Sequence, residues 1–497
     1  MRVGSEVLTA MSAATGLLAL YFTTLLILSV YGLHRYALVY LYYRHRKRAA
    51  SPAPPPPRWP RVTIQLPVYN EMYVVERLLD SVARIRYPRD RLQVQLLDDS
   101  SDETRAIAER RVRFHRREGL DVEYRHRAER RGFKAGALAE GLAHATGEFI
   151  LILDADFIPP PEFLERTLGH FADAGVGMVQ ARWDHVNRGY SLLTEVQAIL
   201  LDAHFVLEHG GRHRSGRFFN FNGTAGIWRR SAIEDAGGWE GDTLTEDLDL
   251  SYRAQLRGWR FVFLPDVTAP AELPVEMNAF KSQQLRWAKG TAQTCLKLLP
   301  RILGSALPAR VKLEAWFHLT APATYPLMVL LAVLLPPAIA IRGSIGAGEL
   351  LLLDIPLFAA ATASVTSFYL VAERELRIPW KGRRRLIPAV LAVGIGLSVS
   401  NARGVLEALL GRRSGFERTP KHRVESRSDD WRGKRYRGRA GAAPWVELAL
   451  GLYLTAAAVH AAAAGLLGPL PFVVLFQAGF LYSALTSFIH RLRPSAA

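Results

Sequence analysis

A single cysteine, Cys295, stands in 497 residues. That excludes an internal disulfide framework and fits a reducing compartment for the globular part of the chain. Internal repeats are missing as well, which excludes solenoid and propeller arrays. Acidic residues are in short supply, with 46 Asp and Glu against 63 Lys and Arg, a formal net charge of +17. Such a balance invites nucleic-acid binding, but its placement argues otherwise. Arg44, Arg46, Lys47 and Arg48, the stretches 374–385 and 411–439, and Arg491 and Arg493 all sit beside hydrophobic runs. Basic residues in that position are expected on the cytoplasmic side of a membrane, where they also meet anionic lipid. A lipid bilayer is therefore the expected partner, and nucleic acid is not.

Apolar residues make up 49% of the chain, yet they are unevenly spread, and charge is nearly absent from 11–33, 316–341, 351–371, 446–466 and 469–490. Each run is long enough to cross about 30 Å of hydrocarbon. The first is too long for a signal peptide and no small-x-small cleavage site follows it, so 1–43 reads as a permanent anchor. The basic cluster behind it puts the following chain in the cytoplasm. A stiff Pro-rich segment, Pro52 to Pro57 within the 44–60 linker, then spaces the next domain off the bilayer. From 316 the chain leaves, turns around Ser344 to Glu349 and returns by 371, leaving the basic loop 372–385 inside. The run 386–410 has the look of another span, but basic residues flank it on both sides. Its uncharged part, Leu386 to Ser400, is about 15 residues, or roughly 22 Å as helix. A re-entrant or interfacial element is expected there. Five true spans result, the last two within 445–497, with the C-terminus inside. The expected location is the cytoplasmic (inner) membrane, and no cyclic-nucleotide-binding module is expected after residue 444.

Residues 61–277 mix polar and apolar positions as a globular domain does. Arg61 to Val68 and Leu92 to Leu97 are strand-like. Between them Val74, Val75, Leu78, Leu79 and Val82 have helical spacing. Phe149 to Leu153 is a continuous apolar run ending in Asp154, the pattern of a buried parallel strand whose tip presents a ligand-facing residue. This alternation predicts an α/β domain with a Rossmann-like sheet.

The residues with chemical potential cluster at such tips. Asp154 and Asp156, alternate on one turn, can both reach a hard divalent cation that also takes diphosphate oxygens; alone, the pair could be a solvated acidic turn. Asp98 and Asp99 end a second strand, where carboxylates suit a nucleotide base and ribose. The same stretch, with Ser100, Ser101 and Glu103, also reads as a helix cap. Lys134, at a helix start beside Ala135 and Gly136, suits a diphosphate. Asp247, within Thr245-Glu246-Asp247, would deprotonate an attacking hydroxyl, although an acidic first helical turn capped by Thr245 explains the triplet equally. About 36 residues on, Gln283, Arg286 and Trp287 share a helix that continues to Arg301, the amphipathic stretch 278–315. Gln and Arg can grip a diphosphate and the indole offers a flat face to a sugar ring; a Trp/Arg belt at a membrane surface is the plainer reading.

Taken in order, the D, DxD, TED and QxxRW set resembles that of family 2 glycosyltransferases. Pro67-Val68-Tyr69-Asn70-Glu71, Tyr124-Arg125-His126-Arg127, Gly132-Phe133-Lys134-Ala135-Gly136, Val179-Gln180-Ala181-Arg182-Trp183 and Phe219-Asn220-Phe221-Asn222-Gly223-Thr224-Ala225-Gly226 look like the plant cellulose-synthase-like A and C groups, over about 60–300. The resemblance implies a GT-A fold and an inverting mechanism. It assigns Asp98, Asp99, Lys134, Gln283 and Arg286 to the nucleotide and diphosphate, and Asp154 and Asp156 to Mg²⁺ or Mn²⁺. Asp247 becomes the base, and Trp287, Asn222 and Gly223 face the acceptor. Phe416, Thr419 and Lys421 match a gating loop of cellulose synthases, within 411–425, with Arg418 where Val is usual. The implied partners are a nucleotide sugar, UDP-glucose or GDP-mannose, a glycan or lipid acceptor, and an export partner subunit. The leading expectation is a β-glycan synthase that exports its product through its own spans. A single-addition glycolipid enzyme, like the ceramide glucosyltransferases, and a catalytically dead nucleotide-sugar-binding subunit are the other two readings.

Overall fold

The computed structural model describes residues 2–344, 351–376, 383–412, 415–439 and 441–492. The turn expected at Ser344 to Glu349 lies almost wholly outside these, as do part of the basic loop (377–382), residues 413–414 of the 411–425 loop, and Arg493.

One seven-stranded sheet, in the order β3-β2-β1-β4-β6-β5-β7, forms the globular domain. Its strands are β1 (Val62–Val68), β2 (Leu92–Asp98), β3 (Val122–His126), β4 (Phe149–Ile152), β5 (Val176–His185), β6 (Gly226–Arg229) and β7 (Arg260–Ala271). Strands β1 to β4 pair in parallel and are joined by helices Val75–Ala83, Thr104–Arg117 and Phe133–Ala143. The short β6 runs antiparallel between β4 and β5, which makes the sheet mixed. Its reversal decides where the site lies. Gly226 pairs with Ile152, so the loop entering β6 arrives at the same edge as the tip of β4. Val68 at the end of β1 is in register with Asp98 at the end of β2, and the binding edge is the row of these C-terminal tips. The sheet is buried on both faces, with Ile64, Leu66, Leu96 and Leu151 against one layer and Ile150, Ile152, Phe221 and Trp228 against the other.

Among the described residues, five helical stretches are long and apolar enough to cross a membrane, 12–44, 309–343, 384–409, 443–463 and 470–492, and the chain is a membrane protein. Their boundaries differ from the sequence expectation at three places. The run expected at 316–341 is divided: Ala309–Thr320 ends in a 3₁₀ turn, Ala321–Ala323, before Thr324–Ser344 begins. Pro322, with no amide hydrogen to donate, sits in that turn. The stretch 384–409 belongs to the five, whereas Leu351–Glu375 does not, although that helix packs along Arg2–Arg44. The Pro-rich segment, expected to stand off the bilayer as a spacer, lies against the domain: a Cβ on Gly169 would meet the Pro54 carbonyl at 2.1 Å.

The 384–409 stretch is two short helices, Ile387–Gly396 and Ser398–Leu409. Ile387 packs with Leu193, Ala203 and Ala372. Gly396 meets the Gly479 carbonyl and Ser483 midway along Leu470–Leu492. Gly404 then meets Leu285 and Lys289 of the helix Met277–Gly304. Both ends of the pair therefore touch elements that also touch the sheet domain.

Met277–Gly304 joins the domain to the membrane helices. The buried Lys281 donates to Glu447 Oε2 at 2.5 Å and Ser487 Oγ at 2.7 Å. Lys289 Nζ lies 2.8 Å from Glu407 Oε2. A charge left alone at such depth costs several kcal/mol, so these pairs fix the rotation of the helix and with it the side that faces the sheet.

Candidate active site

The strand tips, the loop into β6, the Thr245–Asp247 turn and one side of Met277–Gly304 enclose a cavity of about 160 Å³. Among the lining residues are Asp99, Lys134, Asp154, Asp156, Asn222, Gly223, Asp247, Gln283, Arg286, Trp287, Phe416, Thr419 and Lys421. Of the residues singled out in the sequence, the structure brings all but Asp98 together there. Asp98 is fully buried; Oδ2 accepts from the Tyr124 hydroxyl at 2.7 Å and Oδ1 from the Ser100 amide at 2.8 Å. As the last residue of β2 it points inward, and the carboxylate that lines the cleft is the next one, Asp99. Asp99 in turn is gripped by Arg127 through two bonds, 2.7 and 2.6 Å. The caps expected from Ser100 and Ser101 are also displaced. The Thr104 amide that opens the helix Thr104–Arg117 donates to Asp102 Oδ1 at 3.0 Å, while the two serines bond Asn70. Thr245 precedes Glu246–Leu256 but makes no side-chain cap bond.

Lys134 is the centre of the cation–carboxylate pattern. Its Nζ lies 2.6 Å from Asp154 Oδ1 and donates to the Gly223 carbonyl at 2.8 Å. Burial alone would lower this lysine, but Asp154, Glu246 and Asp247 outweigh it and hold the pKa above the ordinary value. Gly223 has φ +78° and a Cβ there would come within 3.0 Å of Asp247 Oδ2; the glycine supplies both the turn and the room. Asp156 is buried, and its Oδ2 accepts from Lys421 Nζ at 2.6 Å and from the Glu272 amide at 3.0 Å. Asp154, with 37% of its side chain exposed, is the more open of the two.

Two carboxyls of the cleft are held far above their ordinary range. Burial pushes Asp247 up to about 7; neighbouring Glu246 adds to this, while Lys134, the Leu248 amide and Arg286 oppose it. Burial likewise pushes Glu71 up to about 8, with Asp156 and Asp154 adding and Arg418 and Lys421 opposing. Shifts of this size, caused by burial beside like charge inside a cleft, mark functional carboxyls.

Arg286 lies 4.4 Å from the centre of the Phe416 ring, and Phe416 stacks at 5.9 Å on Phe133. Among the described residues the buried Arg286 Nε and Thr419 Oγ1 have no hydrogen-bond partner, as fits a cleft built for a polar ligand. The loop carrying Phe416 to Lys421 is fastened by Glu272, which accepts from the His422 and Arg423 amides at 2.9 and 2.7 Å. Among the described residues, non-glycine positive φ occurs at Asn70, Phe133, Ala225 and Arg423. Each lies within two residues of a residue that lines the cleft, and strain of this kind persists where the surrounding structure enforces it.

A second cavity of about 540 Å³ shares Trp183, Asn222, Asp247, Gln283 and Trp287 with the first. It continues past Tyr325, Tyr369 and Gly394 to Leu25, Phe358 and Phe472 among the membrane helices. Trp183 and Trp287 stand 6.5 Å apart at the junction. Among the described residues, the three-carboxylate cluster that could hold an ion is elsewhere, at Glu240, Asp242 and Asp249. Lys297 reaches all three within 3.0 Å, so that cluster is matched by protein charge.

Residues 60–290 match the family model described as "Glycosyltransferase like family 2". The same stretch is similar to family 2 glycosyltransferase domains and has a GT-A fold. Glucomannan 4-beta-mannosyltransferase 1 of Oryza sativa subsp. japonica is 42% identical over 253 residues, which is 49% of this chain and 48% of that protein. Glucomannan 4-beta-mannosyltransferase 7 of Arabidopsis thaliana is 38% identical over 252 residues, 50% of this chain and 45% of that protein. The chain thus spans about half the length of these relatives. Among solved structures, the mannosyltransferase PcManGT from Pyrobaculum calidifontis, in complex with GDP-Man and Mn²⁺, superposes with a TM-score of 0.51 at 22% identity, covering 79% of this chain and 100% of that one. At that identity the likeness is one of fold.

Sequence reasoning gave Glu71, Arg127 and Trp183 no individual role, although it quoted the motifs that contain them. Glu272 and Gly290 it missed altogether, because each acts by meeting a residue distant in the chain.

Proposed function

We propose that the chain is an inverting hexosyltransferase that extends a β-glycan from a nucleotide sugar and passes the product into its own membrane helices. The observation that carries this reading is the sharing of Asp247, Asn222 and Trp287 by the cleft and by the larger cavity behind it. An acceptor reaching Asp247 from the membrane side would lie in that cavity, with its terminal sugar against the indoles. Its hydroxyl oxygen attacks the anomeric carbon, the bond from that carbon to the diphosphate oxygen breaks, and the proton passes to Asp247. Lys134 and Arg286 meet the negative charge that grows on the departing diphosphate. Two alternate carboxylates of hard oxygen, one open to the cleft, suit Mg²⁺ or Mn²⁺, and Asp154 and Asp156 would hold it. When bound, the cation neutralises charge on the same leaving group. Mannose is the first sugar to test, because both plant relatives carry mannosyltransferase names and PcManGT was solved with GDP-Man.

We further propose that 384–409 is re-entrant, a reading supported by the contacts of both its ends with elements of the sheet domain, and that Leu351–Glu375 crosses the bilayer. Basic residues at 44–48 and 411–439 favour a cytoplasmic catalytic domain in the inner membrane. A lipid acceptor is the second reading, favoured by the apolar far end of the larger cavity at Leu25, Phe358 and Phe472. The two are separated by product length, measured in membrane vesicles given labelled GDP-mannose or UDP-glucose with Mn²⁺. A long glycanase-sensitive polymer is expected with one donor; a single labelled lipid would overturn synthesis and export together.

A further inference from the structure

Behind the catalytic cleft, the helix Leu192–Ala203 ends in one turn of π-helix, His204–His209. Such turns are rare and gather at functional sites. His204 and Glu208 both line the larger cavity beside Asn222. His204 Nε2 lies 3.0 Å from the amide nitrogen of Asn222, and its Nδ1 lies 2.9 Å from Glu208 Oε2. An amide nitrogen can only donate, so Nε2 is the acceptor and the ring proton sits on Nδ1, where the carboxylate receives it. Glu208 is itself backed by Arg212, whose Nη1 is 3.6 Å away, and Arg212 Nε donates to Glu314 at 3.0 Å. Burial would raise Glu208, but the bond from His204 and the Arg212 and Arg35 charges hold it well below the ordinary carboxylate range. It is thus a dependable acceptor for the imidazole.

This order has a directional result. With its side-chain nitrogen turned to His204, Asn222 is left with Oδ1 as the end that has no hydrogen-bond partner among the described residues. Asn222 lines both cavities and directly precedes Gly223, the residue that makes room for Asp247. We propose that His204 and Glu208 are positioning residues that hold Asn222 with its carbonyl oxygen toward the acceptor, so that it receives a hydroxyl hydrogen from the glycan end entering beside Asp247. The inference rests on the glycan-acceptor reading above.

The test measures binding of mannohexaose and cellohexaose to the full chain in lipid nanodiscs, by quenching of tryptophan fluorescence, with nucleotide affinity and nucleotide-sugar turnover followed in parallel. His204→Leu and Asn222→Ala are each expected to weaken oligosaccharide binding about tenfold, the worth of one well-placed hydrogen bond. The double variant is expected to be no weaker than either single one. His204→Gln, which can offer an oxygen to Asn222, is expected to recover most of the affinity. Nucleotide affinity stays at the wild-type level throughout, which a general loss of folding would not allow. Wild-type oligosaccharide affinity in His204→Leu, or losses that multiply in the double variant, would overturn the proposal. A wild-type chain that turns over nucleotide sugar yet binds neither oligosaccharide would overturn it too, leaving the transferase reading standing. Absence of both turnover and oligosaccharide binding would remove that reading and this one with it.

Discussion

Asp247 sits where burial disfavours an ionised carboxylate, a property that the proposed role of hydroxyl-activating base needs. With a pKa of about 7, it is the ionised form that takes the proton, so transfer is expected to rise with pH through about 7 and level off above it. A pH–rate profile in vesicles reads this directly. Asp247→Asn is expected to lower transfer by about 10²–10⁴-fold while nucleotide affinity holds. The same shift has a stability sign. The folded pKa lies above the unfolded value, so the folded state binds the extra proton, and the contribution of this carboxyl to wild-type stability falls as pH rises from about 4 to about 7. Asn carries no charge to bury. The variant's gain in Tm is therefore expected to be larger at pH 8 than at pH 5, and thermal unfolding at the two pH values checks it. Sequence showed Asp247, Asp154 and Arg286 because each belongs to a motif with its own local signal. It could not say which of Asp98 and Asp99 turns inward, since two adjacent acids at a strand tip look alike until the strand's facing is known. Glu71 was quoted within a motif, yet its shift comes from neighbours brought by other segments.

One helix, Met277–Gly304, carries two sets of residues on different sides. Lys281 and Lys289 are bound to the membrane helices, while Gln283, Arg286 and Trp287 face the cleft. A third contact sets the distance between them: a Cβ on Gly290 would lie 2.5 Å from Thr245 Cγ2 and 2.9 Å from the Thr245 amide nitrogen. Backbone cannot yield there as a flexible side chain would. Gly290→Ala is expected to displace the Thr245–Asp247 turn, lowering kcat with little change in nucleotide affinity and costing about 1–3 kcal/mol of stability. Steady-state kinetics and thermal unfolding test the two halves. The helix itself was legible from the spacing of Gln283, Arg286 and Trp287, but nothing local marks Gly290. The 384–409 stretch is divided between Gly396 and Ser398, a break that its short uncharged run and doubly basic flanks do not show.

Across the whole molecule the two cavities meet at the pair of indoles, so an obstruction placed far from the chemistry should alter what is made before it alters whether anything is made. Gly394 lines the larger cavity, and a Cβ there would have no neighbour within 4 Å. Gly394→Trp is expected to shorten the polymer while single transfer to a soluble oligosaccharide in detergent stays near wild type; product sizing by gel chromatography decides. Unchanged polymer length would mean that the glycan takes another path. The α/β class was expected from strand–helix alternation. The antiparallel β6 that brings Asn222 and Gly223 to the tip of β4 was not, since four residues between two loops carry no direction in sequence.

The lysines that grip Asp154 and Asp156 have a consequence for the order in which ligands arrive. An empty cleft in which each of these acids already has a cationic mate offers a bare ion little attraction, because a lysine must first be turned away. A nucleoside diphosphate brings the missing negative charge and gives both lysines somewhere to go. Mn²⁺ is thus expected to bind weakly to the protein alone and at least tenfold more tightly once GDP or UDP is present, which titration calorimetry can follow without any turnover. A cell's free metal would then leave the resting enzyme untouched, and the substrate would bring its own cofactor with it.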